Sequence, residues 1–280
     1  MSGLTRHICG ISGGKDSSAL AIHLRQTRPE LNIEYFFCDT GAELPETYDY
    51  LGKLEAVLGQ PIARLNAERP FSHYFAMRRG MLPSPQVRWC TADMKIKPIE
   101  RWVGDDDCVS YVAIRADESN RKGYVSTKPN IRAEFPFKDA GIGYEDVLRI
   151  LDEAGIGLPS YYEWRTRSGC YFCFYQRKSE WVGLGERHPE LYARAVAIEK
   201  GALADEGDAD FSAWASDADY TWSQGETLEE LWDRREQIKS SHAEAIRRAE
   251  SRGRNLPLVR VLEDSLDEED DGLACTICAL

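Results

Sequence analysis

The chain has 280 residues, 42% of them hydrophobic, and a formal net charge of −12. That length corresponds to one α/β domain with an appended part, or to two small domains, with enough apolar residues for a core. No run of about 18 apolar residues marks a membrane span, and Met1-Ser-Gly-Leu-Thr-Arg6 lacks the apolar stretch of a secretory signal, so a cytoplasmic enzyme is expected.

In chain order, the pattern predicts a strand over 6–11 and a helix over 16–28. Ile33–Cys38 reads as a short apolar strand. Glu46–Leu58 reads as an amphipathic helix with Tyr50, Leu51, Leu54 and Leu58 on one side. Pro61–Leu65 follows as a third strand. Residues 66–90, with Pro70, Pro83 and Pro85, have the length of a functional loop and carry a short helix. A helix is expected within Lys95–Val103, after Pro98, and a strand over Cys108–Arg115. This alternation predicts an α/β fold, a doubly wound parallel sheet whose ligand crevice lies at the carboxyl ends of the strands. Further on, helices are expected at Tyr144–Ala154, 176–187, 189–204 and 227–252, with Asp205–Asp219 as an acidic surface loop.

The expected organisation is a nucleotide-binding domain over 1–142 and a mainly helical, cysteine-containing part over 143–262. An acidic flexible tail over 263–280 then ends in Cys275-Thr-Ile-Cys278. Seven acids and no Lys or Arg lie between Glu263 and Asp271, so the body is only mildly acidic. It does not advertise nucleic-acid binding. Two local basic groups stand out against that background: Arg78, Arg79, Arg88, Lys95, Lys97 and Arg101, then Arg165, Arg167, Arg177 and Lys178. The eight cysteines, in a cytoplasmic setting, point to metal binding or catalysis rather than to disulfides.

The first strand–helix junction reads Ser12-Gly13-Gly14-Lys15-Asp16-Ser17-Ser18. Glycines let the backbone approach a ligand, and the helix N-terminus supplies free amides and a positive dipole end. Lys15 adds a mobile point charge, so the turn suits pyrophosphate. Its spacing is not that of a Walker loop. Asp39-Thr40-Gly41 ends the second strand, where Asp39 serves either Mg²⁺ and a ribose hydroxyl or a turn before the next helix. Arg115 and Arg121 follow the fourth strand and fit a polyphosphate or leaving pyrophosphate. Cys9, Cys38 and Cys108 read as core residues. The five histidines show no metal-ligand spacing.

Taken whole, Ser12–Ser17 resembles the PP-loop of the ATP pyrophosphatases, which split ATP between its α and β phosphates and use the AMP half to activate a substrate oxygen. Ser12–Ser17, Asp39–Thr47, Arg88–Pro98 and Ile114–Arg121, in this order, resemble the phosphoadenosine-phosphosulfate (PAPS) reductase family. The resemblance covers roughly the first 140 residues and extends loosely to Gly169–Cys173. It implies an adenine-nucleotide site from Ser12, Gly13, Gly14, Lys15, Asp16, Ser17, Asp39, Thr40, Gly41 and Lys95, with Lys15, Asp39, Arg115 and Arg121 in catalytic roles. Two departures disfavour simple sulfate assimilation: the tail lacks the reductases' Glu-Cys-Gly-(Ile/Leu)-His element, and no adjacent Cys-Cys pair occurs.

Cys90 after Arg88-Trp89, and Ser168-Gly169-Cys170-Tyr171-Phe172-Cys173, resemble instead the family members of bacterial DNA phosphorothioation systems, the DndC and SspD types. The resemblance implies ATP and Mg²⁺ as cofactors and a [4Fe-4S] cluster on Cys90, Cys170 and Cys173, since thiolates at Cys-x-x-Cys spacing suit Fe–S or Zn²⁺. The fourth ligand is Cys275 or Cys278, or the fourth iron stays open. The implied activity is adenylation of a nucleic-acid oxygen for replacement by sulfur, with DNA as acceptor and tRNA as the alternative. A cysteine desulfurase is the expected sulfur donor, with other modification-system proteins as partners. The competing activity is reduction of PAPS or adenylylsulfate.

Overall fold

The structure is a computed structural model and describes residues 5–118, 121, 126, 128–201 and 220–252. Five short strands make one sheet: β1 (Arg6–Gly10), β2 (Ile33–Asp39), β3 (Ala63–Asn66), β4 (Cys108–Tyr111) and β5 (Ile131–Glu134). Their order is β3-β2-β1-β4-β5, and every neighbouring pair is parallel. His7 of β1 sits opposite Ile33 on one side and Val109 on the other. The chain leaves β1 toward β2 and β3, then returns to the far side of β1 as β4. The strand order reverses beside β1, and the crevice of such a sheet opens there, past the carboxyl ends.

The central strands β1, β2 and β4 bury residues on both faces because helices cover both sides of the sheet. Cys9, Tyr35, Phe37, Val109 and Tyr111 pack under α1 (Lys15–Thr27), α2 (Pro45–Leu58) and a later helix, Tyr144–Glu153. The alternate residues Ile8, Phe36, Cys38 and Cys108 pack with Ile99 and Val103 on the opposite face. Between β3 and β4 lie α3 (Phe71–Met77), α4 (Trp89–Thr91), a π-helical segment Ala92–Ile96 and α5 (Lys97–Val103). Past β5 come α6 (Pro136–Asp139), α7 (Tyr144–Glu153), a 3₁₀ turn Ser160–Glu163, α8 (Lys178–Arg187), α9 (Pro189–Glu199), α10 (Leu228–Asp233) and α11 (Arg235–Arg252).

A third cluster joins the two halves of the chain. Leu44, Phe71, Phe75 and Trp89 pack in it with Tyr161, Phe172, Trp181, Leu184 and Trp222.

Several expectations need correcting. The helical run that leads into β4 begins at Trp89 rather than after Pro98; the π-helical widening just before Pro98 accommodates a residue that has no N–H to donate. The fourth strand ends at Tyr111, four residues early, because the chain turns out over the crevice at Val112–Arg115. Strand β5 is absent from the sequence reading; Ile131–Glu134 is too short and too polar to show a period. The helix expected at 227–252 is broken at Arg234, whose guanidinium reaches back to both oxygens of Glu226 at 2.7 and 2.6 Å. The acidic loop at 205–219 and the tail at 263–280 lie outside the described residues.

Candidate functional site

The site starts at the end of β1, where Ile11–Gly14 turn into α1. Gly13 has φ +76°, and a Cβ there would sit 2.6 Å from Thr47 Cγ2. A Cβ on Gly14 would sit 2.9 Å from Ser168 Oγ. Both contacts are closer than any side chain tolerates, and Gly13 also needs the left-handed region. Hydroxyls then lock the turn. Ser12 N donates to Ser17 Oγ at 3.0 Å, and Ser18 Oγ donates to Gly14 O at 2.9 Å.

Residues far along the chain complete the loop. Tyr161 Oη donates to Gly13 O at 2.7 Å, Lys15 N donates to Tyr162 Oη at 3.2 Å, and Ser168 Oγ donates to Ser12 Oγ at 3.1 Å. Lys15 is not a mobile charge. It is 4% exposed, with Nζ 3.5 Å from the Asp16 carboxylate and 5.4 Å from the ring centroids of both Tyr144 and Tyr162. Two aromatic faces and one carboxylate hold the ammonium where α1 begins.

Past β4, Arg115 is buried and spans three acids. It meets Asp16 at 2.9 Å and Asp117 at 2.9 Å, with Glu118 at 3.9 Å. Arg121 meets Glu118 at 2.8 Å. Asp117 also accepts from Tyr144 N at 3.1 Å, so Arg115 ties the phosphate loop to the start of α7. Burial pushes the Asp16 carboxyl up, but the charges of Lys15, Arg115 and Arg121 outweigh it and hold the group below the usual carboxylate range. Burial likewise works against the Arg115 charge, and Asp16 and Glu118 more than restore it. Lys15, Asp16, Arg115 and Arg121 are thus brought together as one charge network. Contact between either guanidinium and a phosphate exchanges a carboxylate for a phosphoryl oxygen.

Past β2, Asp39 Oδ1 accepts from Tyr48 Oη at 2.8 Å and Gly41 N at 2.9 Å, which shapes the turn. Thr40 Oγ1 donates to Glu43 Oε1 at 2.8 Å and lies 3.1 Å from Cys170 Sγ. Cys170 Sγ is 3.7 Å from the same Glu43 oxygen. A small pocket is lined by Ile11, Ser12, Phe37, Cys38, Glu43, Lys95, Ser168 and Gly169. Burial pushes the Cys170 thiol well up and Glu43 adds to it, against the pull of Lys95. Burial pushes Cys38 up to about 12. Cys9 and Cys108 are buried in the sheet, as expected.

Cys170 is held by its backbone. Arg165, 1% exposed, donates to Gly169 O at 3.0 Å and to Cys170 O at 2.9 Å, while Tyr171 N donates to Ala42 O at 2.8 Å. Cys173 N donates to Cys170 O at 3.1 Å. Cys90 is half-buried against the third cluster. Among the described residues, no group of three or more His, Cys, Asp or Glu side chains is gathered to hold a metal ion. Cys90, Cys170 and Cys173 are thus not gathered as such a group here; Cys275 and Cys278 lie outside the described residues. Mg²⁺ makes a lighter demand, one or two carboxylates plus substrate phosphates. Asp39, at a strand end beside the pocket, fits it.

Sequence reasoning missed Glu43, Tyr161, Tyr162, Arg165 and Ser168. Glu43 lay inside a recognised segment and was passed over. The two tyrosines carry no local signal, because their partners are about 150 residues away in the chain.

Residues 6–138 match the family described as phosphoadenosine phosphosulfate reductase domain. Two uncharacterized proteins of Methanocaldococcus jannaschii are each 25% identical to the chain. One aligns over 195 residues, 65% of this chain and 39% of that protein; the other over 200 residues, 68% and 46%. The chain thus spans less than half the length of these two relatives. An uncharacterized 37.8 kDa protein of Escherichia phage 186 is 24% identical over 258 residues, 70% of this chain and 75% of that one. Among solved structures, the PAPS reductase of Candida auris in a phosphate complex aligns with 14% identity and a TM-score of 0.46, over 60% of this chain and 82% of that one. No helix among the described residues is long and apolar enough to cross a membrane. The segment that builds the Ser12–Ser18 loop, the β2 end and Arg115 is thus similar to the phosphoadenosine phosphosulfate reductase domain.

Proposed function

We propose that the chain is an ATP pyrophosphatase of the DndC/SspD type that adenylates a nucleic-acid oxygen for replacement by sulfur, with the DNA backbone as acceptor. One observation carries the reading: a glycine-built loop with a buried lysine, suited to pyrophosphate, lines a pocket through Ser12 together with Glu43 and Gly169, the neighbours of the Cys170 thiol. In this scheme the loop amides and the Lys15 ammonium hold the β and γ phosphates. Asp39 would hold Mg²⁺, which would supply charge neutralisation for the leaving pyrophosphate. Arg115 and Arg121 take over phosphoryl oxygens as the bond to the α-phosphorus breaks. Sulfur arrives as a persulfide from a cysteine desulfurase, with other modification-system proteins presenting the acceptor.

Anaerobic incubation with radiolabelled ATP, with and without DNA or tRNA, tests this. AMP and pyrophosphate, stimulated by DNA, are the expected products; stimulation by tRNA alone moves the acceptor to a base oxygen. The thiol in the crevice also suits a second reading, reduction of PAPS. Thiol-dependent consumption of PAPS without ATP cleavage would replace the first reading by the second.

A further inference from the structure

The Cys170 side chain sits in an arrangement that the nucleotide chemistry above does not use. Thr40 has one hydroxyl proton, and its 2.8 Å contact commits that proton to Glu43 Oε1, since a carboxylate only accepts. The 3.1 Å contact between Thr40 Oγ1 and Cys170 Sγ then has the thiol as donor. The result is a relay from thiol to hydroxyl to carboxylate, with a direct 3.7 Å approach of Sγ to the same oxygen beside it. Glu43 is 7% exposed, which is unusual for a carboxylate. Lys95 lines the same pocket and pulls toward the thiolate, against the larger push of burial and Glu43 that keeps the proton on sulfur until a base takes it.

The thiol is also placed relative to the phosphate loop. Ser168, two residues before it, bonds Ser12, and Arg165 clamps the carbonyls of Gly169 and Cys170. Gly169 at φ +146° allows the chain to turn between them. A pair of cluster ligands needs thiolates facing a common centre; Cys170 instead faces an acid through a hydroxyl.

We propose that Cys170 is a sulfur-carrying nucleophile, loaded as a persulfide, and that Glu43 takes its proton through Thr40. The proposal rests on the sulfur-transfer reading and names the residue that holds the sulfur. In the loading step the Cys170 proton passes to Glu43, and the thiolate attacks the outer sulfur of a persulfide R–S–SH. The S–S bond of the donor breaks with its electron pair leaving on R–S⁻, which takes up a proton. Cys170–S–SH forms, one sulfane sulfur has moved between thiols, and no oxidant or reductant is consumed. Cys38 lines the same pocket, but its thiol is directed to Lys95 O at 3.8 Å and lies on β2.

The test uses the full, reduced chain, incubated anaerobically with glutathione persulfide, trapped with iodoacetamide and mapped by mass. The added sulfur is expected on Cys170. Glu43→Gln should slow loading about a hundredfold near neutral pH, the scale of a lost general base, with the deficit closing as the pH rises. Thr40→Val should slow it too, and Thr40→Ser should restore it. Sulfur on Cys38, Cys90, Cys173, Cys275 or Cys278 without Cys170 overturns the proposal. So does a Glu43→Gln pH profile that superimposes on the wild-type one, or iron in the isolated protein that Cys170→Ser removes. Should Glu43→Gln fail to fold, the Thr40 pair alone decides. ATP cleavage is scored separately on the wild-type chain. Loading of Cys170 without cleavage keeps this proposal and removes the pyrophosphatase reading; cleavage without loading does the reverse.

Discussion

At the scale of single residues, buried charge is what distinguishes this site. Lys15, at 4% exposure, has Asp16 and two tyrosine rings around its ammonium. Lys15→Met keeps most of the volume and removes the charge. ATP cleavage to AMP should fall about a hundredfold or more, with a thermal midpoint close to wild type; full activity in that variant would refute the site. Arg115 has the opposite balance. It bonds carboxylates on both sides of the crevice, so Arg115→Gln leaves Asp16 and Asp117 without their buried partner. Removing one member of such a group costs about 3 kcal/mol, readable as a lower urea midpoint.

The pH dependence follows from Asp16. Its folded value lies below its unfolded one, so its contribution to stability is fully present above the unfolded value and is lost as the pH falls through the folded value. Wild-type stability should therefore drop below about pH 4, and Arg115→Gln should flatten that drop. A slope unchanged by the substitution would mean that another carboxylate dominates acid unfolding.

At the scale of elements, glycines mark where two pieces of backbone meet. On α8, a Cβ at Gly183 would lie 2.7 Å from Trp164 Cε3, and one at Gly185 would lie 2.2 Å from Trp232 Cζ3. Alanine improves helix propensity by about 1 kcal/mol, yet forcing a methyl against a packed indole costs about 1–3 kcal/mol. Gly185→Ala is expected to be net destabilising, and a raised melting temperature would show that Trp232 moves freely. At Gly13, a left-handed φ and a 2.6 Å clash act together. Gly13→Ala should lose nucleotide binding along with stability, whereas Gly185→Ala should lose stability with nucleotide binding kept.

At the scale of the whole molecule, the nucleotide half does not close on itself. Leu44, Phe71, Phe75 and Trp89 are buried by residues beyond 160, and Tyr161, Tyr162 and Ser168 hold the phosphate loop. Uncovering those four side chains removes about 2 kcal/mol each, comparable in sum with the whole stability of an ordinary domain. A fragment ending at residue 142 is therefore expected to show no cooperative thermal transition. A sharp transition in that fragment would make the halves independent.

Much of this was legible in the residue order. The parallel α/β sheet and the Ser12–Ser18 turn at the end of β1 follow from patterns within about 20 residues: apolar strands, an amphipathic period and a glycine pair before a helix; the pairing of Arg115 with Asp16 does not, since the two lie 99 residues apart. Strand β5, the π-helical widening before Pro98 and the break at Arg234 were not legible, because each depends on what packs or pairs against it. The same holds for the cysteines. Their Cys-x-x-Cys spacing alone points to metal, but spacing says nothing of direction. The Cys170 thiol meets Thr40 and Glu43 because folding brings a segment 130 residues away to the end of β2. Short-range order follows from local backbone and side-chain preference, while the surroundings of a thiol follow from which distant surfaces must be buried together.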